Sequence, residues 1–299
     1  MNPIEQTLER GGLPTFKIQT PWSTAEVMSH GAHVTSFQKH GEEPMLFLSA
    51  KSLFSPGNPI RGGVPICYPW FGAREGDSSH GFARTTEWLL AESAAGSDGA
   101  VRLRFKLPIP PDRPAWSGLR TEFFVTVSDS LTMELLSANE SGAPMEIENC
   151  LHTYFRVGHI RDVSLTGLQG APFLDFASGA AGDQKVERDE VLQITKETNR
   201  TYPDTTATVE ILDRNLMRLI RVEKFHSRST VVWNPWTTQK LPDDFDPAEH
   251  QHMVCVESGN VKQNKLTLAP GEQTTLKAVL STAPLGFDHT PLQNIQQAA

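Results

Sequence analysis

The chain has no apolar run long enough to span a bilayer, no sustained helical period, no internal repeat and no surplus of basic residues. Each absence excludes something. A membrane-spanning helix needs about 20 consecutive apolar residues, and none is present. The formal net charge is −8 over 299 residues, and no basic patch is dense enough to neutralise a row of phosphates. Nucleic acid and anionic membrane surfaces are therefore excluded as partners. Met1 to Gly12 is acidic and polar with no apolar stretch, so no secretory signal is expected. Cysteine is scarce: Cys67, Cys150 and Cys255 lie far apart within apolar runs. Such an odd, sparse set reads as reduced, buried thiols, and the expected location is the cytoplasm.

What the sequence does have is alternation. Val101-Arg102-Leu103-Arg104-Phe105-Lys106-Leu107 has the period of two of a strand with one buried face. Residues 122–127 and 131–138 read as a hairpin across Ser128-Asp129-Ser130. Further strands are predicted over 145–155, 163–168, 206–212, 216–222, 230–233, 253–257, 265–268 and 274–280. The 21 prolines and 22 glycines fall mostly between these runs. Short strands at such spacing predict an all-β sandwich or barrel. No composition break marks a linker, so a single domain over 1–299 is expected. Its core should run from about residue 12 to 285, and the Gln- and Ala-rich tail after His289 should be loose.

The densest motif is Arg61-Gly-Gly-Val-Pro-Ile-Cys-Tyr-Pro-Trp-Phe-Gly72, followed by His80-Gly-Phe-Ala-Arg84. Glycine lets main chain approach a ligand closely, and proline stiffens the loop. Each arginine offers a planar fork that matches a phosphate or carboxylate. With Tyr68, Trp70, Phe71 and Phe82 as lining, the motif suits a small anion with a flat or ring-shaped body. The plain alternative is surface ion pairs over a core of aromatics. Because the whole-molecule field repels anions, any anion site must rest on short-range arginine contacts.

Two strands place ionisable groups among apolar neighbours. Alternation sets Cys150, His152 and Tyr154 on one face, and Met253, Cys255 and Glu257 on another. Taken alone, His152 reads as a core histidine bonded to backbone and Glu257 as a strand-end ion pair. Beside the arginine loop, they read as a proton-moving pair. His250-Gln251-His252, close to Asp243, Asp244, Asp246 and Glu249, has metal-ligand spacing. Its two flanking prolines, Pro242 and Pro247, make a solvated polar loop the preferred reading, and no metal is expected.

Together with Leu151-His152-Thr-Tyr-Phe, Trp233-Asn234-Pro235-Trp236 and Val254-Cys-Val-Glu257, these motifs occur in an order that closely resembles the hexose-6-phosphate mutarotases, or glucose-6-phosphate 1-epimerases. These belong to the aldose 1-epimerase-like superfamily, and the resemblance runs from about residue 31 to 280. It implies a β-supersandwich with a shallow sugar cleft, no cofactor and a monomer acting on a hexose 6-phosphate. By motif matching, His152 corresponds to the general acid, Glu257 to the general base, and Arg61 and Arg84 to the phosphate and substrate contacts. Two positions depart from the pattern: Ser79 stands where the family often has Gln, and Asn199 where it often has Asp. Both are expected at the sugar, with consequences for preference. His80 could contact a hydroxyl or brace its loop. Trp233 reads as core, while Trp236, beyond Pro235, is a candidate stacking surface.

The reaction so implied interconverts the α and β anomers of an aldose 6-phosphate, with ionised Glu257 taking the C1 hydroxyl proton and protonated His152 donating to the ring oxygen. Ordinary carboxylic acid and imidazole values then predict a bell-shaped pH profile with an optimum between about 6 and 8, its acidic limb set by Glu257. Competing readings are a mutarotase for unphosphorylated aldoses, a non-catalytic sugar-phosphate-binding protein and a purely structural module.

Overall fold

The computed structural model describes residues 2–179 and 182–286; the predicted loose tail after His289 lies outside them. The alternation in Val101–Lys106 is realised residue by residue. Val101, Leu103 and Phe105 are fully buried, while Arg102 and Lys106 face solvent. This strand belongs to a nine-stranded sheet whose order runs Leu192–Gln193, Val163–Thr166, Val209–Asp213, Arg218–Phe225, Gln273–Pro284, Leu131–Asn139, Leu119–Val127, Val101–Lys106, Leu89–Ala95. All of its pairings are antiparallel.

An eight-stranded sheet lies against it, and a four-stranded N-terminal sheet (Ile4–Leu8 through His33–Lys39) closes one side. Phe123, Leu135, Ile220 and Leu280 of the first sheet, Leu151, Val232, Val254 and Val256 of the second, and Phe16 and Val27 of the third form one apolar cluster. Burying each such side chain contributes about 1.5–3 kcal/mol before the entropy of ordering is counted. The fold is thus the all-β sandwich that the alternation predicts. The first strand begins at Ile4, earlier than the expected core boundary near residue 12. Its burial pattern is too weak, with no fully buried residue, to stand out in a sequence.

The eight-stranded sheet matters most for function. The predicted strand 145–155 is three strands there and nearby: Met145–Ile147, Asn149–Leu151 and Tyr154–Arg156. Met145–Ile147 leaves to pair with Leu266–Leu268, and the other two flank a break at His152–Thr153. Both pair with the long strand Met253–Asn260, Leu151 opposite Ser258 and Tyr154 opposite Cys255. That register is continuous across the break and sets His152 opposite Glu257. On the other side, Trp233 of Ser229–Asn234 lies opposite Cys255, and Asn199 of Thr198–Tyr202 lies opposite Trp233. Directly opposed residues share a face, so Asn199, Trp233, Cys255 and Tyr154 form one row, with His152 and Glu257 beside it.

All eight residues of Met253–Asn260 are buried. Val254 and Val256 face the core between the sheets. Met253 and Cys255, on the opposite face, are covered by a smaller cluster with Phe47, Tyr154 and Phe245. Glu257 therefore sits on a strand buried on both sides, where a carboxyl group is costly unless it is partnered.

Candidate active site

His152 Nε2 lies 3.3 Å from Glu257 Oε1. The Cys150 thiol faces the other carboxyl oxygen, Oε2, at 3.4 Å. The imidazole stacks on the Tyr154 ring with centroids 4.8 Å apart and planes 12° from parallel, and Trp233 meets it edge-on at 6.1 Å. The other ring nitrogen, Nδ1, is buried and has no protein partner, which leaves it for a ligand.

Burial dominates the proton affinities of this pair. It raises Glu257 to about 8, against smaller opposing effects of the Cys150 hydrogen bond and the Arg84 charge. Burial also lowers His152 to about 3, and the charges of Arg84 and Arg61 push in the same direction. Near neutrality the pair consequently carries one proton, placed on the carboxyl group with the imidazole neutral. This reverses the placement expected from ordinary side-chain values. Transfer across the 3.3 Å contact would convert it to carboxylate and imidazolium without changing the charge of the pair.

Two loops bring cations to the same face. Arg61 is fixed by its backbone: its N–H donates to Ser52 Oγ at 2.8 Å, and Gly62 pairs with Leu48. Gly62 has φ +120°, and a Cβ there would come within 2.4 Å of the Phe47 carbonyl oxygen, so no other residue fits beside Arg61. The Arg61 Nε donates to Asp244 Oδ2 at 2.9 Å, which aims the outer edge of the guanidinium away from that carboxylate. Asp244 was legible only as part of an acidic loop.

Arg84 lies in the short 3-10 turn Ala83–Thr85. Its Nη2 donates to the Ser79 carbonyl at 2.6 Å, and its Nε is buried without a partner. No carboxylate lies within 4.0 Å of it among the described residues. Ser79 thus braces Arg84 through its main chain, and its exposed side chain makes no hydrogen bond in the described structure. Gly81 packs so tightly against Tyr68 that a Cβ would fall 1.9 Å from the Tyr68 carbonyl oxygen.

His80, one residue earlier, adopts φ +65°, a left-handed conformation that is uncommon for a non-glycine residue. Its Nδ1 accepts the Gly72 N–H at 3.3 Å, and its ring meets Phe71 and His152 edge-on at 4.7 and 5.8 Å. Burial and the charges of Arg84, His152, Lys262 and Arg61 hold it well below the usual imidazole range. With Nδ1 accepting, the neutral ring carries its proton on Nε2 as a donor.

Lys262 is a residue that sequence reasoning missed. It follows the buried strand in a left-handed conformation, φ +58°. Its N–H donates to Glu148 Oε1 at 2.5 Å, while Glu148 Oε2 accepts the Phe71 N–H at 2.9 Å. Glu148 thereby ties together two segments at the rim. The Lys262 ammonium lies 5.9 Å from the Phe71 ring and 5.8 Å from the Phe176 ring, with no carboxylate within 4.0 Å among the described residues.

Several sequence expectations are corrected. Tyr68, Trp70 and Phe82 line no ligand surface: their rings are buried in the main core, and only Phe71 of that group reaches the site. Trp236 packs on His250 at 5.5 Å and under Arg161 at 5.2 Å, whereas Trp233, expected in the core, is half-buried beside His152. Pro235 and the left-handed Trp236 (φ +51°) turn the chain off the sheet at that point. Asn199 lies opposite Trp233, on the same face of the sheet as Tyr154 and Cys255. The acidic segment is not a solvated loop. Asp246 and Glu249 form a capping box on the 3-10 helix Pro247–His252, and His250 is buried. His250 Nδ1 and His252 Nδ1 bond the carbonyls of Pro247 and Gly158, at 2.6 and 2.7 Å. The three cysteines are free and buried, as read from the sequence.

A large antiparallel β-sandwich with His152 and Glu257 paired on one sheet face, beside Arg61, Arg84 and Trp233, has the galactose mutarotase-like fold. The chain belongs to the aldose 1-epimerase family, whose model matches residues 14–281. It is 32% identical over 272 residues to an Escherichia coli K12 protein provisionally named glucose-6-phosphate 1-epimerase, covering 89% of each chain. A Cenchrus ciliaris protein of the same provisional name is 31% identical over 274 residues, covering 88% of this chain and 82% of the relative. A solved structure of a provisionally named mutarotase from Salmonella typhimurium superposes with a TM-score of 0.85 at 29% identity, over 95% of each chain. The protein is accordingly an isomerase that epimerises an aldose.

Proposed function

We propose that the substrate is a hexose 6-phosphate, glucose 6-phosphate first among them, and that His152 and Glu257 move the protons. The observation that carries the first half is the cationic rim: Arg61, Arg84 and Lys262 converge on His80 in a protein of net charge −8. An unphosphorylated aldose gives three cations nothing to neutralise. The relatives' provisional names point the same way.

In the proposed reaction one member of the pair takes the C1 hydroxyl proton while the other protonates the ring oxygen. The C1–ring oxygen bond breaks, the aldehyde forms, and rotation about C1–C2 presents its other face. Closure returns each proton to its origin, so no redox cofactor is called for. The singly protonated pair is the competent form, and interchange across the His152–Glu257 contact supplies either orientation of donor and acceptor. Neutral His80 donates from Nε2 to a sugar hydroxyl, Asn199 offers an amide to another, and Trp233 provides the flat wall. Anomer exchange of glucose 6-phosphate measured by NMR saturation transfer, with glucose as control, tests this reading. Faster exchange of glucose than of its 6-phosphate would overturn the phosphate assignment.

The proton inventory sets the pH dependence. Activity is lost when the pair loses its only proton, which Glu257 holds to about 8, and when His152 takes a second one, which happens only near 3. The kcat/KM profile with glucose as substrate, free of phosphate titration, should be flat through neutrality with its alkaline limb near 8. Glu257→Gln should remove that alkaline limb from whatever activity remains. An alkaline limb near the ordinary imidazole value, about 6.5, would show that His152 alone holds the working proton.

Lys262→Ala should raise KM for glucose 6-phosphate about two- to five-fold, as expected for an exposed ion pair, and leave kcat with glucose unchanged. Equal effects on both sugars in steady-state assays would assign Lys262 to loop structure.

A further inference from the structure

We propose that the floor of the active site is also a binding site for a borderline-soft divalent cation, Zn2+ being the type ion, held by His152, Cys255 and Glu257 and inhibitory when bound. One ligand atom from each of the three residues lies within 4.8 Å of the others. All three side chains are buried, at 8, 0 and 1% exposure. The strand register builds the cluster: Cys255 and Glu257 are two apart on one face, and His152 is opposite Glu257.

The donor set selects the ion. Thiolate, imidazole and carboxylate together suit Zn2+ and disfavour Mg2+ and Ca2+, which take oxygen ligands. Tetrahedral zinc, with bonds of about 2.0–2.3 Å, holds its ligand atoms roughly 3.3–3.8 Å apart. The His152–Glu257 separation of 3.3 Å already meets that spacing, and the thiol has at most an ångström or so to close. Cys150 occupies Oε2 of the carboxyl group at 3.4 Å, leaving Oε1 for the ion. Binding releases the Cys255 thiol proton and the Glu257 carboxyl proton to solvent, and neutral His152 donates a ring-nitrogen lone pair. No electron is transferred. Three protein ligands leave the fourth tetrahedral position for a water.

The ion takes the lone pairs that the epimerisation would use, so ion and reacting sugar exclude one another. The inhibitory half of the inference rests on the acid–base reading above, whereas the binding half does not. The test uses the full chain stripped with chelator. Zn2+ is titrated against a competing chromogenic chelator, and Co2+ serves as a spectroscopic probe of thiolate ligation. One equivalent should bind, with a thiolate-to-cobalt charge-transfer band in the near ultraviolet. Cys255→Ser should abolish the band and weaken Zn2+ binding at least about ten-fold, with its folding checked by circular dichroism. Cys67→Ser should keep the band. His252→Ala, which removes a surface imidazole pair 6.2 Å apart, should keep both band and affinity. Absence of stoichiometric binding, or a band that survives in correctly folded Cys255→Ser, would overturn the site. Should Cys255→Ser fail to fold, His152→Ala must lose the zinc affinity for the proposal to stand. Zinc that binds with the band but leaves glucose 6-phosphate exchange intact would overturn the inhibition alone. A preparation that binds zinc yet never exchanges anomers would point instead to failure of the substrate reading.

Discussion

His152→Ala and Glu257→Gln should each lower kcat at least about a hundred-fold, the usual contribution of a positioned acid or base. The two groups oppose each other at 3.3 Å, and among the described residues no second carboxylate or amine contacts either of them. Glu257→Gln is the cleaner probe. It keeps the shape and a hydrogen-bonding group while removing the titration, and it leaves no buried charge behind. Its stability should also shift with pH in a direction fixed by the proton affinity. The folded protein holds the Glu257 proton to about 8, against an ordinary carboxyl value of 4.5. Between those values the unfolded chain releases the proton and the folded one does not, so this group's contribution to stability falls as pH rises. The difference in melting temperature, variant minus parent, should grow from pH 5 to pH 8. Near-normal exchange rates in either variant would refute the acid–base assignment. A melting difference independent of pH would refute the buried, protonated state of Glu257.

Arg84→Ala should raise KM for glucose 6-phosphate by roughly 10- to 100-fold while changing KM for glucose far less. A hydrogen bond to a charged group is worth about 1.5–3 kcal/mol, and each 1.4 kcal/mol is a factor of ten. Arg84 should show the larger effect of the two arginines, because its Nε is buried without a partner and no carboxylate lies within 4.0 Å of it among the described residues. Arg61 is already paired with Asp244 at 2.9 Å, so Arg61→Ala removes a cation whose field is partly spent. Arg84→Lys should recover little, since one ammonium cannot reproduce the fork that spans Ser79 and a ligand. The measurement is steady-state kinetics on both sugars. Equal losses on glucose and its 6-phosphate would mean that the arginines hold the loops and do not read the anion.

Alternation was enough to show the class of fold, because strands such as Val101–Lys106 have one wet face and one dry. It failed where both faces are dry. Met253–Asn260 continues three residues past its predicted end because Ser258, Gly259 and Asn260 are buried as well, and small or polar residues in a covered strand leave no period. The split of 145–155 was equally hidden: its breaks fall at Glu148 and at His152–Thr153, where side chains are committed to the rim and to the site. His152, Glu257, Arg61 and Arg84 were visible as residue types out of place in their surroundings. Their convergence was not, because it depends on pairing register between strands about a hundred residues apart. Lys262 looked like any surface lysine until Glu148 was seen to clamp its backbone. Which of Trp233 and Trp236 lies beside His152 was hidden because the turn at Pro235 cannot be placed relative to the sheet from sequence.

His152 and Glu257 are set by strand register, while Arg61, Arg84 and Lys262 ride on separate segments: 61–63, 79–85 and the turn at 262. Under the proposed function, chemistry and selectivity are therefore carried by parts of the chain that can change independently. A lineage could exchange one sugar for another by rewriting those three short stretches, with the sheet and its reaction inherited intact. The same partition makes them a natural place to begin when redesigning this scaffold for a different acidic or neutral sugar.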